Sequence, residues 1–324
     1  MASNRGNLSG SDGPELATRV AWLYYEAQLT QAKISADLQI PPAKVQRLIA
    51  RARRDGLVRI LIEGDLAGCA ALERELSGRR ELRFCRIVPA IASQAVFSSL
   101  GRAAASYLVR VIETRRHRVI GVGHGRTLAA MVDHMPRIEW TDLTLVSVLG
   151  GVPRRVGDNP FDVVHALAEK TNASAWVMPV PFYAETPTDR AVMLRQRGVA
   201  ETLRLAEEAG LYIMGVGEVA ETSSLCRSTM VLPSEIAEAR RAGAVAEAFG
   251  HFFGADGRLV AAALHERVIA LNINAMRGRE VLVVAGGEEK HAAIDAVLKS
   301  GLPTALITDE ATASNLVRSP GEAC

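Results

Sequence analysis

Residues 29–54, LTQAKISADLQIPPAKVQRLIARARR, read as two short helices separated by a tight break. Thr30 stands where an N-cap belongs, and Ala32, Ile34, Ala36 and Leu38 supply apolar side chains for the first helix. Gln39-Ile40-Pro41-Pro42 interrupts it, because proline has no N–H and turns the preceding residue away from helix. Proline fits again at the first position of the next helix. There Val45, Leu48, Ile49 and Ala52 recur at helical spacing as an inward stripe. Lys44, Arg47, Arg51 and Arg54 share the opposite face. One buried face and one cationic face, behind a shorter helix, is how a helix-turn-helix offers a recognition helix to the major groove. A solvated basic helix is the plain alternative; the coincidence of cap, break and cationic face favours DNA. The expected contacts are Thr30, Gln31, Lys44, Gln46, Arg47, Arg51 and Arg54, with Gln46 and Arg47 near bases and Lys44 and Arg51 nearer phosphates.

Outward from this stretch, residues 1–13 (MASNRGNLSGSDG) are polar and glycine-rich and are expected to form a disordered arm without an export core. Glu15 to Gln28 is expected as a supporting helix. Gly56 is placed to stop the recognition helix, and Leu57 to Ile62 suggests a strand of a small wing. A DNA-binding domain over 14–64 then gives way to a linker helix over 65–81, capped by Asp65. The charge divides accordingly. Residues 1–64 hold nine Lys or Arg against six Asp or Glu, whereas the remainder holds 29 against 30. The head therefore carries +3 and the body −1, so the basic excess belongs to the head, which fits a DNA-binding unit on a neutral body.

From Leu82 to the end at 324, short apolar runs alternate with amphipathic stretches. The runs are His117–Gly123, Leu143–Gly151, Ala175–Phe182, Leu211–Gly217, Val268–Ile273, Val281–Gly287 and Thr304–Thr308. Helices are expected at Thr127–His134, Thr188–Glu208 and His291–Ser300. Buried strands alternating with helices imply an α/β domain with a mainly parallel sheet, whose ligands sit at the carboxyl edge. Gly123-His124-Gly125-Arg126-Thr127 lies between a strand and a helix, where backbone N–H groups and the helix N-terminus favour an anion. Arg126 and Thr127 add a guanidinium and a hydroxyl, so a phosphate or a polyol would fit. It is neither a Walker loop nor a dinucleotide fingerprint, since Leu128 stands where a third glycine would be. Gly286-Gly287-Glu288-Glu289-Lys290 repeats the pattern; its residues alone favour a solvated Lys290 paired with Glu288 or Glu289.

His165, His251 and His265 are isolated, so no metal spacing is present, and no cofactor is implied. No G-x-S-x-G elbow exists. Cys69, Cys85, Cys226 and Cys324 form no C-x-x-C pair, and no apolar run reaches 18 residues. A reduced, cytoplasmic protein without a membrane segment is the expectation.

The head, together with IGVGHGRTLAAM, VSVLGG, MPVPFYAET, DRAVMLRQRGV, GVGEV, AGAVAEAFGHFFGADG and VVAGGEEKHAAIDAVLKSGLPTALITDEATA in that order, resembles the SorC family of bacterial transcriptional regulators over nearly the whole chain. The resemblance implies an effector domain like the sugar-phosphate isomerase and deaminase folds, acting as a sensor and not as an enzyme. It implies a homo-oligomer, dimer or tetramer, that regulates a carbohydrate or polyol operon, with a repressor expected, and that loses, gains or changes its grip on the operator when a sugar, polyol or sugar phosphate binds. By the same likeness Gly123 to Thr127, Arg190, Gln196, Glu247 and Lys290 would line the effector pocket. The run GGVPRRVGDNPFDVVHALAEKTNA is most similar to the polyol branch that includes regulators of erythritol catabolism. The family usually carries glycine where Gln39 stands, serine where Pro41 and Gln46 stand, and often aspartate where Glu247 stands. Two other readings compete. A sugar-phosphate isomerase or deaminase would need a general base, for which Glu247, Asp256 and His124 are the candidates; a constitutive architectural DNA binder would leave the body unused.

Overall fold

The computed structural model describes residues 13–27, 29–58, 67–89, 96–151, 163–227 and 231–318. The chain divides into two compact units, Met1–Glu63 and Gly64–Cys324. The arm expected over 1–13 and most of the wing strand expected over Leu57–Ile62 lie outside the described residues.

The first unit contains α1 (Pro14–Tyr25), α2 (Gln31–Leu38) and α3 (Pro42–Arg54). Thr30 caps α2, its hydroxyl accepting from the Lys33 N–H at 3.2 Å. Gln39 closes α2 in the left-handed region at φ 53°, a conformation that glycine adopts without strain. Ser35 Oγ donates to the Ile40 carbonyl at 2.6 Å and so ties the three-residue turn back onto α2. Val45, Leu48, Ile49 and Ala52 are buried together with Leu16, Ala17, Val20 and Ala21 of α1. Each large apolar side chain so buried contributes about 1.5–3 kcal/mol. α2 contributes less than its sequence suggests: Ile34 is buried and Leu38 half-buried, while Ala32 and Ala36 face outward. α3 ends as a Schellman turn, with Gly56 at φ 72° and the Leu57 N–H donating to the Ala52 carbonyl at 2.9 Å.

The second unit is built on a seven-stranded sheet in which every neighbouring pair is parallel. Its strands are β1 (Phe84–Val88), β2 (Val119–Val122), β3 (Thr144–Ser147), β4 (Ser174–Trp176), β5 (Leu211–Met214), β9 (Glu280–Val284) and β10 (Ala305–Asp309). Their spatial order is β1-β10-β9-β5-β2-β3-β4. From β2 the chain runs outward through β3 to β4, then returns to place β5 on the other side of β2. That reversal is a topological switch point, and it opens a crevice between the carboxyl ends of β2 and β5. One face of the sheet is covered by α5 (Val96–Glu113), α6 (Arg126–His134) and α7 (Val163–Thr171). The opposite core contains α4 (Ala67–Arg79), α12 (His291–Lys299) and α13 (Glu310–Arg318). The stretch read as a linker helix is therefore α4, which sets Cys69 and Leu76 into the core beside β1 and α13.

A second, antiparallel sheet of β6 (Gly217–Glu218), β7 (Ala244–Ala248) and β8 (His251–Gly254) has no counterpart in the sequence reading. Three expected elements also differ. Val268–Ile273 is not a strand: its main chain makes single bridges, Ala270 to Leu149 and Val268 to Tyr183, and then enters a 3₁₀ turn at Ile273–Met276. Of Ala175–Phe182 only Ala175 and Trp176 belong to a strand, β4, and Pro181 makes an isolated parallel bridge to Gly151. Thr188–Glu208 is two helices, α8 (Pro187–Leu194) and α9 (Arg197–Glu207), because Gln196 is extended at φ −62°, ψ 132°. α9 buries Val199, Thr202 and Ala206 whereas α8 buries nothing, so one continuous apolar stripe never existed to hold them in line.

Candidate functional site

The switch-point crevice is a cavity of about 90 Å³, several times the roughly 10–15 Å³ that one water needs by the same measure. Its floor is the turn after β2. Gly123 donates its N–H to the Ile213 carbonyl at 2.9 Å, carrying the β2–β5 pairing one residue beyond the strand. A Cβ on Gly123 would lie 2.8 Å from Phe249 Cε1, so the ring requires glycine there. Gly125, at φ 126°, is the N-cap of α6, and its conformation aims the first, unpaired N–H groups of the helix at the cavity. Arg126, Thr127 and Leu128 of that first turn line the wall.

Two cations share one aromatic platform at this end. Arg126 lies 4.7 Å and Lys290 5.7 Å from the centroid of Phe97 on α5. Burial, followed by the neighbouring Arg126 charge, lowers the Lys290 pKa, while Glu289, Glu218 and Glu247 oppose that shift. Lys290 is thus half-buried at the cavity and not the solvated lysine that its local sequence suggested.

The other end is acidic and hydroxylic. Glu218 on β6 and Glu247 on β7 come from neighbouring antiparallel strands, with Gly217 directly paired to Glu247. A Cβ at Gly217 would stand 2.8 Å from Glu247 Oε2, so glycine leaves room for the carboxylate. Glu247 Oε1 accepts from the Gly250 N–H at 2.6 Å. Burial nevertheless pushes the Glu247 carboxyl up to about 7, against the lowering effects of that hydrogen bond and of Lys290. Phe249 and Gly250 form the β7–β8 turn, both at positive φ (52° and 76°), and Phe249 reaches the cavity from it. Ser223, which is buried, and Ser224 also line the cavity, beside Leu225 and Arg227 of α10 (Ser224–Arg227). Burial holds the His124 imidazole down at about 4, neutral at physiological pH, with its ring edge-on to Phe182 at 5.2 Å.

Of the residues anticipated here, Gly123, His124, Gly125, Arg126, Thr127, Glu247 and Lys290 converge on one cavity. Arg190 and Gln196 do not line it. Arg190 donates Nε to the Val268 carbonyl at 2.6 Å, and Gln196 sits at the exposed α8–α9 break. Asp256, considered as a base, lies in an exposed turn and accepts from the Arg258 N–H. Phe97, Glu218, Ser223, Ser224 and Phe249 were not anticipated. GVGEV, which holds Glu218, and AGAVAEAFGHFFGADG, which holds Phe249, were already visible as runs in the sequence. No group of three or more metal-ligating side chains occurs among the described residues, and no described helix is long and apolar enough to cross a membrane.

In the first unit Gln46, Arg47 and Arg54 are exposed on α3, and Lys44 and Arg51 are half-buried. Arg51 Nε is bound to Asp55 Oδ2 at 3.1 Å, one turn further along. Thr30 and Gln31 lie at the start of α2, Thr30 with its hydroxyl engaged as the cap.

The Sugar-bind family model, that of a sugar-binding domain, matches residues 65–318. Over 306 residues the chain is 44% identical to the erythritol catabolism regulatory protein EryD of Brucella abortus strain 2308, covering 94% of this chain and 97% of that protein. The transcriptional regulator LsrR of Enterobacter sp. strain 638 is 31% identical over 92% of this chain and 91% of its own. The full-length sorbitol operon regulator SorC from Klebsiella pneumoniae has the same fold, with a TM-score of 0.74 at 22% identity over 95% of this chain and 100% of that one.

Proposed function

The chain belongs to the SorC family of sugar-binding transcriptional regulators, and from that premise we propose that it represses a polyol-catabolic operon and is controlled by a short phosphorylated polyol. It is a regulator and not an enzyme, as its relatives are. The observation that carries the effector class is the polarity of the cavity. Arg126 and Lys290 over one Phe97 ring form a cationic end, and Glu218, Glu247 and the serines form an end suited to hydroxyls. Two like charges held this close favour an anion between them, and the N–H groups at the start of α6 add donors for it. A carboxylate opposite accepts hydrogen bonds from the polyol. The likeness to EryD supports a four-carbon polyol.

DNA recognition is assigned to α2 and α3, with Gln46 and Arg47 toward bases and Thr30, Gln31, Lys44, Arg51 and Arg54 toward the backbone. Two such heads about one helical turn apart would need a homo-oligomer, a dimer or tetramer. The effector acts by binding one arrangement of the heads more tightly than the other. The site of action is the cytoplasm, where operator DNA is.

The test is anisotropy of the chain's own upstream DNA with and without erythritol and its phosphates. A change in affinity with the phosphate supports the reading, and an unchanged affinity with every polyol overturns it. Arg47→Ala should weaken operator binding by about 1–3 kcal/mol while leaving effector affinity alone. Equal loss of both would refute that division of labour.

A further inference from the structure

The loop that delivers Lys290 to the cavity is held from behind by a residue that does not touch the cavity. Asp309, the last residue of β10, is 4% exposed. Its Oδ2 accepts from the Gly287 N–H at 2.8 Å and from the Thr312 hydroxyl at 2.7 Å. Its Oδ1 accepts from the Thr312 N–H at 2.9 Å, the position an N-cap contacts at the start of α13. Thr312 Oγ1 in turn lies 3.3 Å from the Gly287 N–H. The two glycines are needed for different reasons. A Cβ on Gly286 would stand 2.2 Å from Asp309 Oδ2, and Gly287 adopts φ 106°. Lys290 follows three residues later and donates its N–H to the Gly287 carbonyl at 3.0 Å, so the tethered peptide is the anchor of the turn that ends at Lys290.

We propose that Asp309 is a positioning residue for effector binding, acting through the Gly286–Gly287 turn to hold the Lys290 ammonium over Phe97 and opposite Glu247. One carboxylate does two tasks with two oxygens: Oδ1 caps α13, and Oδ2 fixes the turn. The inference rests on the reading of the cavity as the effector site, and it adds a residue outside that cavity on which affinity depends. It also explains a buried acid at a strand end where an apolar side chain would pack as well.

Asparagine has a single acceptor oxygen, so Asp309→Asn can cap α13 or hold the turn, but not both. Asp309→Ser keeps a capping hydroxyl and is too short to reach Gly287. The test is a double-mutant cycle in the full chain, with D-erythritol 4-phosphate as probe, in calorimetry. Asp309→Asn is expected to weaken binding about tenfold in the native background and less than about twofold in the Lys290→Met background. Asp309→Ser should behave alike while unfolding at a temperature close to that of the native chain. In parallel, hydrogen exchange at the Gly287 amide should quicken in both variants without any ligand. The same loss in both backgrounds, or no loss in either variant, overturns the proposal. If Lys290→Met alone leaves affinity untouched, the cavity assignment itself fails, and the inference with it. If the native chain does not take up the probe, the effector class is wrong, and unchanged Gly287 exchange in both variants then overturns the tether.

Discussion

Replacing Glu247 by glutamine should make the unliganded protein more stable in weak alkali and leave it unchanged in weak acid. Burial raises this carboxyl from an ordinary 4.5 to about 7. Between those values the folded chain holds a proton that the unfolded chain releases, so the native state binds more protons. Stability therefore falls as pH rises through the window, and the full penalty is present above about 7. At 1.36 kcal/mol per unit of pKa difference, the penalty at pH 8 is about 3 kcal/mol. Glutamine keeps an oxygen for the Gly250 N–H at the Glu247 position and carries no charge to desolvate. For a unit of this size the gain corresponds to a rise in melting temperature of roughly 6–12 °C at pH 8. Calorimetric scans of both proteins at pH 4 and pH 8, without effector, supply the comparison. A difference that is the same at both pH values would refute the reasoning, because the burial penalty must vanish where the carboxyl is protonated in both states. The same variant should bind effector more weakly, which is the cost expected where an ionised acid is kept in a site for function. In the native protein, effector affinity should rise with pH through about 7 if hydroxyls bind the ionised carboxylate.

Three further outcomes follow from particular contacts. Gln39→Gly removes a left-handed glutamine and should stabilise the first unit by about 0.5–1 kcal/mol net, seen as slower amide exchange in α2 and α3; faster exchange would show that the side chain outweighs the backbone. Gly123→Ala places a methyl 2.8 Å from Phe249 Cε1 and should cost about 1–3 kcal/mol, together with effector affinity. Adding Phe249→Leu should recover part of that stability, and a double variant no better than the single one would place the clash elsewhere. Gly125→Ala meets no atom within 4 Å, so any loss there is backbone strain from φ 126°, expected at about 1–2 kcal/mol by denaturant unfolding.

What the sequence determined by itself was whatever depends on neighbours along the chain. Thr30, Pro41-Pro42, the Val45–Ala52 stripe and Gly56 each act within one turn, and cap, break, buried face and stop all appear where that local chemistry puts them. The turn from β2 into α6 was legible for the same reason, since glycine conformation and helix N–H groups are set over five residues. The alternation of apolar runs and helices gave the parallel sheet, because strands covered on both faces must be apolar throughout. Tertiary structure decided the rest. Sheet order brings β5 beside β2 and so builds the crevice, and the β6–β7–β8 sheet carries Glu218, Glu247 and Phe249 to it from far along the chain. Lys290 reads as a solvated cation among its sequence neighbours, and becomes half-buried only beside Phe97 and Arg126. Val268–Ile273 has strand composition, yet its main chain is spent on single bridges to Leu149 and Tyr183. Asp309, on which the sequence reading was silent, ends β10 and caps α13, and its hold on Gly287 exists only because β9 and β10 lie side by side. Local chemistry fixes which elements form; long-range pairing, which no short stretch encodes, fixes which side chains meet.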